Sequence, residues 1–243
     1  MSASLAARGV RGFEGAFEGE HGLYALYARG EYDAAALLDG LGQRFLGEQV
    51  SFKPWPSCRG THAFVAAALQ LQAAHELEDV VELTAHGAEL NRMLAEPIAQ
   101  KQSPQTPIDA KFSVPFCVAT AFVRGRLGLS DFTPAALQAP EVLELARRVR
   151  FVADPTAGMR EATRGKLRLV TRSGETHELQ IDAPAGHPQR PLTDTQLLTK
   201  FGDCAGRAHQ PLTAAQAAPA AQAVMNMEQS PSAREALVRL TLR

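Results

Sequence analysis

The sequence predicts an α+β fold: a small, antiparallel-rich sheet packed with helices and flanked by segments of an all-helical domain. Three stretches carry that reading. K-L-R-L-V-T-R and T-H-E-L-Q-I flank a short S-G-E, the pattern of a β-hairpin over about 166–181. R-V-R-F-V-A-D, just upstream, alternates like a half-buried strand. Ser113 precedes V-P-F-C-V-A-T-A-F-V-R, which is apolar almost all round and closes at Gly125, as a capped and buried helix should.

Taken in order, the chain opens with glycine-cut helical turns. Leu23, Leu26 and Tyr27 have helical spacing, as do Leu37, Leu38 and Leu41, while Gly9, Gly12, Gly15, Gly19 and Gly22 break the first part into loops. Such an opening builds little core of its own. In S-F-K-P-W-P-S-C-R-G-T-H, Ser51 to His62, two prolines hold the backbone extended, because the ring fixes φ and disfavours helix at the residue before it. Thr61 is the expected N-cap of a helix over about 62–76, followed by V-V-E-L-T-A as a strand and 91–107 as a loop. F-T-P-A-A-L and P-E-V-L-E-L-A suit short helices. From Leu192, with Thr193 or Asp194 as cap, a helix is expected to about Ala208. Ala-rich helical sequence follows, broken at Pro211, Pro219 and Pro231. The expected organisation is a partial helical domain at 1–48, an α+β lid-like domain at 49–191, and returning helices at 192–243.

A 45% hydrophobic and 21% charged composition over 243 residues is that of an ordinary globular protein. The net charge of −1 gives no footprint for nucleic acid or an acidic membrane surface. No apolar run has the length of a membrane span, and the first residues lack the apolar core of a signal peptide. Cys58, Cys117 and Cys204 are too far apart in sequence for a disulfide framework or a zinc set, so a reducing cytoplasm is the expected location. His62 lies four residues after Cys58, but two ligands make a poor zinc site; no metal and no cofactor are expected.

Four landmarks, in order, resemble the C-terminal part of the MmgE/PrpD family: F-K-P-W-P-S-C-R-G-T-H, D-A-K-F-S-V-P-F-C-V-A, R-V-R-F-V-A-D, and G-H-P-Q-R-P-L-T with T-K-F. The family includes 2-methylcitrate dehydratase, cis-aconitate decarboxylase and iminodisuccinate epimerase. The resemblance implies an all-helical domain, an α+β lid and an active site in the cleft between them. It also implies that this chain lacks roughly the first half of a typical member, where the family's acid/base histidines mainly lie. Homodimerisation or a helical partner chain follows from the same comparison. The implied function is a lyase of the dehydratase or hydratase type, acting on small di- or tricarboxylates such as 2-methylcitrate and incomplete on its own. The alternatives are an inactive remnant or partner-dependent subunit, an isomerase or epimerase of the same family, and a plain carboxylate-binding protein.

The family's reactions build negative charge on a carboxylate-bearing substrate, and one preorganised donor is worth about 3–4 kcal/mol of barrier. Lys53 matches the family's lid lysine and is the first catalytic candidate; the plain alternative is a surface lysine. His62 is the second, with a helix-start histidine as its alternative. Arg59 offers a bidentate fork to a carboxylate or pairs with a neighbouring acid. Lys111 and Ser113 stand where the buried helix begins, a place that suits anions, although Asp109 could simply neutralise Lys111. Cys58 stands where decarboxylating relatives carry histidine, and Phe116 where many relatives carry tyrosine, so a tyrosine hydroxyl is missing here. Lys53, Cys58, Arg59, Lys111 and Ser113 form the expected substrate-binding set. His75, His86, His177, His187 and His209 are expected to be solvated or structural.

Overall fold

A computed structural model of the chain describes residues 1–238. The chain divides into two units, Met1–Gln49 and Val50–Arg243. The first holds three five-residue helices, α1 (Ser2–Ala6), α2 (Leu23–Tyr27) and α3 (Ala34–Leu38), none of which buries a residue. Asp33 caps α3 by accepting from the Ala36 amide, and Tyr24 stacks on Tyr32 at 4.3 Å between ring centroids. Helices this short are marginal without packing, in keeping with a segment that builds little core.

The second unit is built on a four-stranded sheet with strand order β2-β1-β3-β4. Its strands are β1 (Val80–Ala88), β2 (Val149–Asp154), β3 (Gly165–Thr171) and β4 (Thr176–Ile181). β1 pairs antiparallel with β3, and β3 with β4, so two of the three ladders have the expected direction. β1 and β2 run parallel because the chain between them crosses over through four helices rather than a hairpin. These are α5 (Ile98–Gln102), α6 (Pro107–Lys111), α7 (Val114–Arg124) and α8 (Pro140–Arg147). In β3, Gly165, Leu167, Leu169 and Thr171 alternate inward, as the hairpin pattern required.

The core lies between the sheet and α4 (His62–Gln72), α7 and α8. Phe64 from α4 meets Phe151 of β2 edge to face at 6.4 Å; Phe116, Phe122, Leu145, Leu167 and Leu169 fill in around them. α7 is the buried helix foreseen from its composition. The Ser113 hydroxyl accepts from the Phe116 amide at 3.0 Å, and Gly125 closes the helix at φ +61°, a conformation that a side chain would strain. The last helices are α9 (Asp194–Ala205), α10 (Ala214–Met225) and α11 (Ala233–Val238). Thr193 and Thr213 start the first two through capping boxes with Gln196 and Gln216.

Several local expectations are corrected. Residues 91–107 are not one loop: they hold the end of a 3₁₀ turn, Glu89–Leu94, the whole of α5 and the first residue of α6. Pro219 does not break the tail but sits inside α10, where the alanines around it carry the helix despite one missing amide. Thr61 does not cap α4 with its side chain. Arg59–Thr61 already forms a 3₁₀ turn leading into the helix, so the Thr61 hydroxyl donates back to the Cys58 carbonyl at 2.8 Å.

Candidate functional site

The segment from Ser51 to His62 has no strand partner, and hydrogen bonds from distant parts of the chain hold it. The Phe52 amide donates to the Gly186 carbonyl at 2.9 Å, and the Cys58 amide donates to the Lys111 carbonyl at 2.8 Å. Asn91 lies beneath it, its Nδ2 donating to the carbonyls of Gly60 (3.2 Å) and Ala162 (3.0 Å). Two glycines make these contacts possible. Gly186 has φ +82°, and a Cβ there would stand 2.0 Å from the Phe52 carbonyl oxygen; a Cβ on Gly60 would stand 2.7 Å from Leu94 and 2.8 Å from Asn91. The first, second and fourth sequence landmarks therefore meet here. Phe151 of the third reaches the same core through Phe64.

Lys53 is exposed on this segment. Arg59 is half-buried: Nη2 donates to the Ser51 hydroxyl at 3.0 Å, while Nη1 is buried with no partner. Burial lowers the Arg59 pKa from its ordinary value. The Ser57 and Thr61 hydroxyls, both buried, share a 2.7 Å hydrogen bond behind it. None of the ion pairs among the described residues uses Lys53, Arg59 or Lys111.

His62 is fully buried, with Trp55 packed edge-on against it at 5.3 Å and 79°. Among the described residues neither ring nitrogen has a hydrogen-bond partner. Burial, then the nearby charge of Arg59 and more weakly of Lys53, pushes its pKa down to about 4. The backbone of Ser57 and Trp55 opposes this weakly, without well-formed hydrogen bonds. The ring is thus neutral near pH 7 and does not face open solvent.

Lys111 differs from its expected place: it ends α6 rather than beginning α7, and its ammonium sits 5.7 Å from the Phe132 ring centre. That contact turns the charge onto an aromatic face, an arrangement worth about 0.5–1 kcal/mol at partly exposed sites. Asp109 does not pair with it; its carboxylate takes the Thr106 hydroxyl instead. Ser113 is fully buried and spent on structure, donating to the Lys101 carbonyl while capping α7. Cys58 is half-buried; Cys117 is fully buried, and its thiol is pushed up to about 12 by burial. The structure therefore gathers Lys53, Arg59 and His62, brings in Lys111 through its backbone, and leaves Ser113 inside the fold.

Sequence reasoning missed Ser57 and Asn91. Ser57 lay within the singled-out stretch, and its spacing of four from Thr61 was the available signal. Asn91 gave none, because a polar residue in a polar stretch reads as solvated. Among the described residues, no three His, Cys, Asp or Glu side chains are grouped to hold a metal ion, and no helix is long and apolar enough to cross a membrane.

The family model of the MmgE/PrpD C-terminal domain matches residues 55–226, more than half of the chain. The chain belongs to the MmgE/PrpD family. The match takes in Cys58, Arg59, His62, Lys111 and Ser113 and begins two residues after Lys53. No curated protein matches this MmgE/PrpD chain in a sequence search.

Proposed function

We propose that this MmgE/PrpD chain carries the carboxylate-binding side of a lyase for small di- or tricarboxylates such as 2-methylcitrate, and that it works with a helical half lying outside these 243 residues. One observation carries the reading. Within twelve residues of chain, the structure buries three polar atoms without partners among the described residues, Arg59 Nη1 and both His62 nitrogens, beside an exposed Lys53 that makes no ion pair with a described residue. Buried polar groups are nearly always hydrogen-bonded, so such a cluster is a demand for an external partner. Positive charge without a nearby acid makes that partner an anion.

Lys53 and Arg59 hold substrate carboxylates and offset the charge that develops as the adjacent carbon loses its proton. Cys58 and Lys111 shape the edge of the site, and Ser113 fixes it from beneath by starting α7. His62 supplies nitrogens that a substrate hydroxyl or carboxylate entering beside Trp55 would satisfy. Dehydration also needs a base for the carbon-bound proton and an acid for the leaving hydroxyl, each worth about 10²–10⁴-fold. One sealed histidine does not provide both, which is why a second half is part of the proposal.

The test is a dehydration assay with 2-methylcitrate, citrate and cis-aconitate, on the chain alone and with a supplied family helical half. Activity only on complementation, and lost in Lys53→Ala, is the expected result. Turnover by the chain alone would show the catalytic centre to be misplaced, and no activity in either form would favour an inactive remnant.

A further inference from the structure

The T-K-F of α9 has no part in that proposal, and the P-W-P of the rigid segment enters it only where Trp55 borders His62. The structure brings them together. Pro54, Trp55, Leu69, Leu129 and Leu192 line a cavity of about 520 Å³ whose far wall is α9, with Lys200 on it. Neither Lys53, Arg59, His62 nor Lys111 lines this cavity.

The charges around it are unevenly satisfied. Arg126 is held by Asp131 at 2.9 Å and by the Ser130 hydroxyl at 3.1 Å, and Asp131 is fully buried, anchored also by Arg124 and the Gly128 amide. Asp203, one helical turn after Lys200, is engaged on both oxygens: Oδ1 pairs with Arg207 and Oδ2 takes the Leu129 amide at 3.4 Å. Lys200 is half-buried and, among the described residues, has neither an ion pair nor a side-chain hydrogen bond. Its natural counter-ion, Asp203, is already taken. A cavity of this size, apolar on most of its wall and with one cation on α9 left unpaired among the described residues, matches the general pattern of a small-molecule site.

We infer that the cavity between Trp55 and α9 is a second binding site, for a carboxylate with an apolar body, its charge on Lys200 and its body against Trp55 and the leucines. It differs from the Lys53 site in ligand class. There a run of polar atoms asks for several oxygens; here one cation and an apolar wall ask for a single anionic head. Trp55 is the wall shared by the two, since the ring that lines the cavity also packs on His62.

Trp55 is the only tryptophan in the chain, so its fluorescence reads the cavity directly. The full chain is titrated with octanoate, with 1-octanol as the uncharged control, and in parallel as Lys200→Gln and Lys53→Gln. The expected result is a saturable change in Trp55 emission with octanoate, absent or far weaker with octanol. It should shift to about ten-fold higher concentration in Lys200→Gln, the cost of one charge-assisted contact, and stay unchanged in Lys53→Gln. Three outcomes overturn the inference: no saturable change, equal response in Lys200→Gln, or equal response to octanol. Loss of binding in Lys53→Gln alone also overturns it, by assigning the anion to the Lys53 site. Turnover of tricarboxylates plays no part in this readout, so the two proposals fail independently.

Discussion

Acid should destabilise this protein through His62, and the size of the effect follows from its burial. In the unfolded chain the ring titrates near its ordinary 6.5; in the fold it titrates at about 4. Between those values the unfolded state binds the extra proton and the folded state does not, so stability is complete above pH 6.5 and falls as pH drops towards 4. The full difference corresponds to about 3 kcal/mol, and roughly 2 kcal/mol of it is already lost at pH 5. That is a large share of the stability of an average domain. The measurement is urea unfolding at pH 7 and pH 5, for the native chain and for His62→Gln. Gln cannot titrate, so whatever the substitution does at pH 7, its further loss at pH 5 should be smaller by about 2 kcal/mol than that of the native chain. An NMR titration of the imidazole gives the same quantity directly. Equal acid sensitivity in both chains, or a His62 ring titrating near 6.5, would refute the reasoning: it would mean that water or a hydrogen-bond partner reaches the ring.

Gly186→Ala should lower stability by more than the roughly 1–2 kcal/mol that a left-handed backbone costs a side chain, since its Cβ also meets the Phe52 carbonyl at 2.0 Å. Urea unfolding checks the loss, and a red shift of Trp55 emission checks that the Lys53 segment has moved; an unshifted emission with unchanged stability contradicts the anchoring. Cys204 is exposed and Cys117 fully buried with its thiol pushed up to about 12. Iodoacetamide at pH 8 should therefore label Cys204 in the native chain and Cys117 only after unfolding, as read by mass spectrometry. Native labelling of Cys117 would show α7 open to solvent.

Elements whose signals are local were legible in the sequence. The β3–β4 hairpin declared itself because alternation and turn act over a few residues, and α7 did because Ser113 and Gly125 mark its two ends. What failed depended on neighbours. Thr61 is a good cap by residue type, yet a 3₁₀ turn had already taken its backbone into helical geometry. The 89–102 region holds helical pieces too short for periodicity to show, and Pro219 reads as a break because a proline's cost is visible locally while the support of its alanine neighbours is not. At the site, residue types were readable and directions were not. Lys111 is the last residue of a Thr106-capped helix that ends two residues before Ser113, a boundary set by two caps seven residues apart rather than by one continuous pattern. The seal over His62 is a tertiary fact, made by Trp55 and the core together.

The way the 51–62 segment is fastened separates scaffold from chemistry. Its distant attachments are made by backbone groups: the amides of Phe52 and Cys58 and the carbonyl of Gly60. Prolines at 54 and 56 narrow the conformations available between those points, so the segment gives up little further freedom on docking. The exposed side chain at 53 is therefore not needed to hold it in place, whereas Trp55 and Cys58 add packing against the core. A change at 53 alters what the segment presents while leaving the anchors intact. Positions 60 and 186 have no such latitude, because a Cβ at either would push into the contacts that fix the backbone. In the proposed site Lys53 can therefore change without loosening the backbone beneath it, which is held by the amides of Phe52 and Cys58 and narrowed by the prolines at 54 and 56.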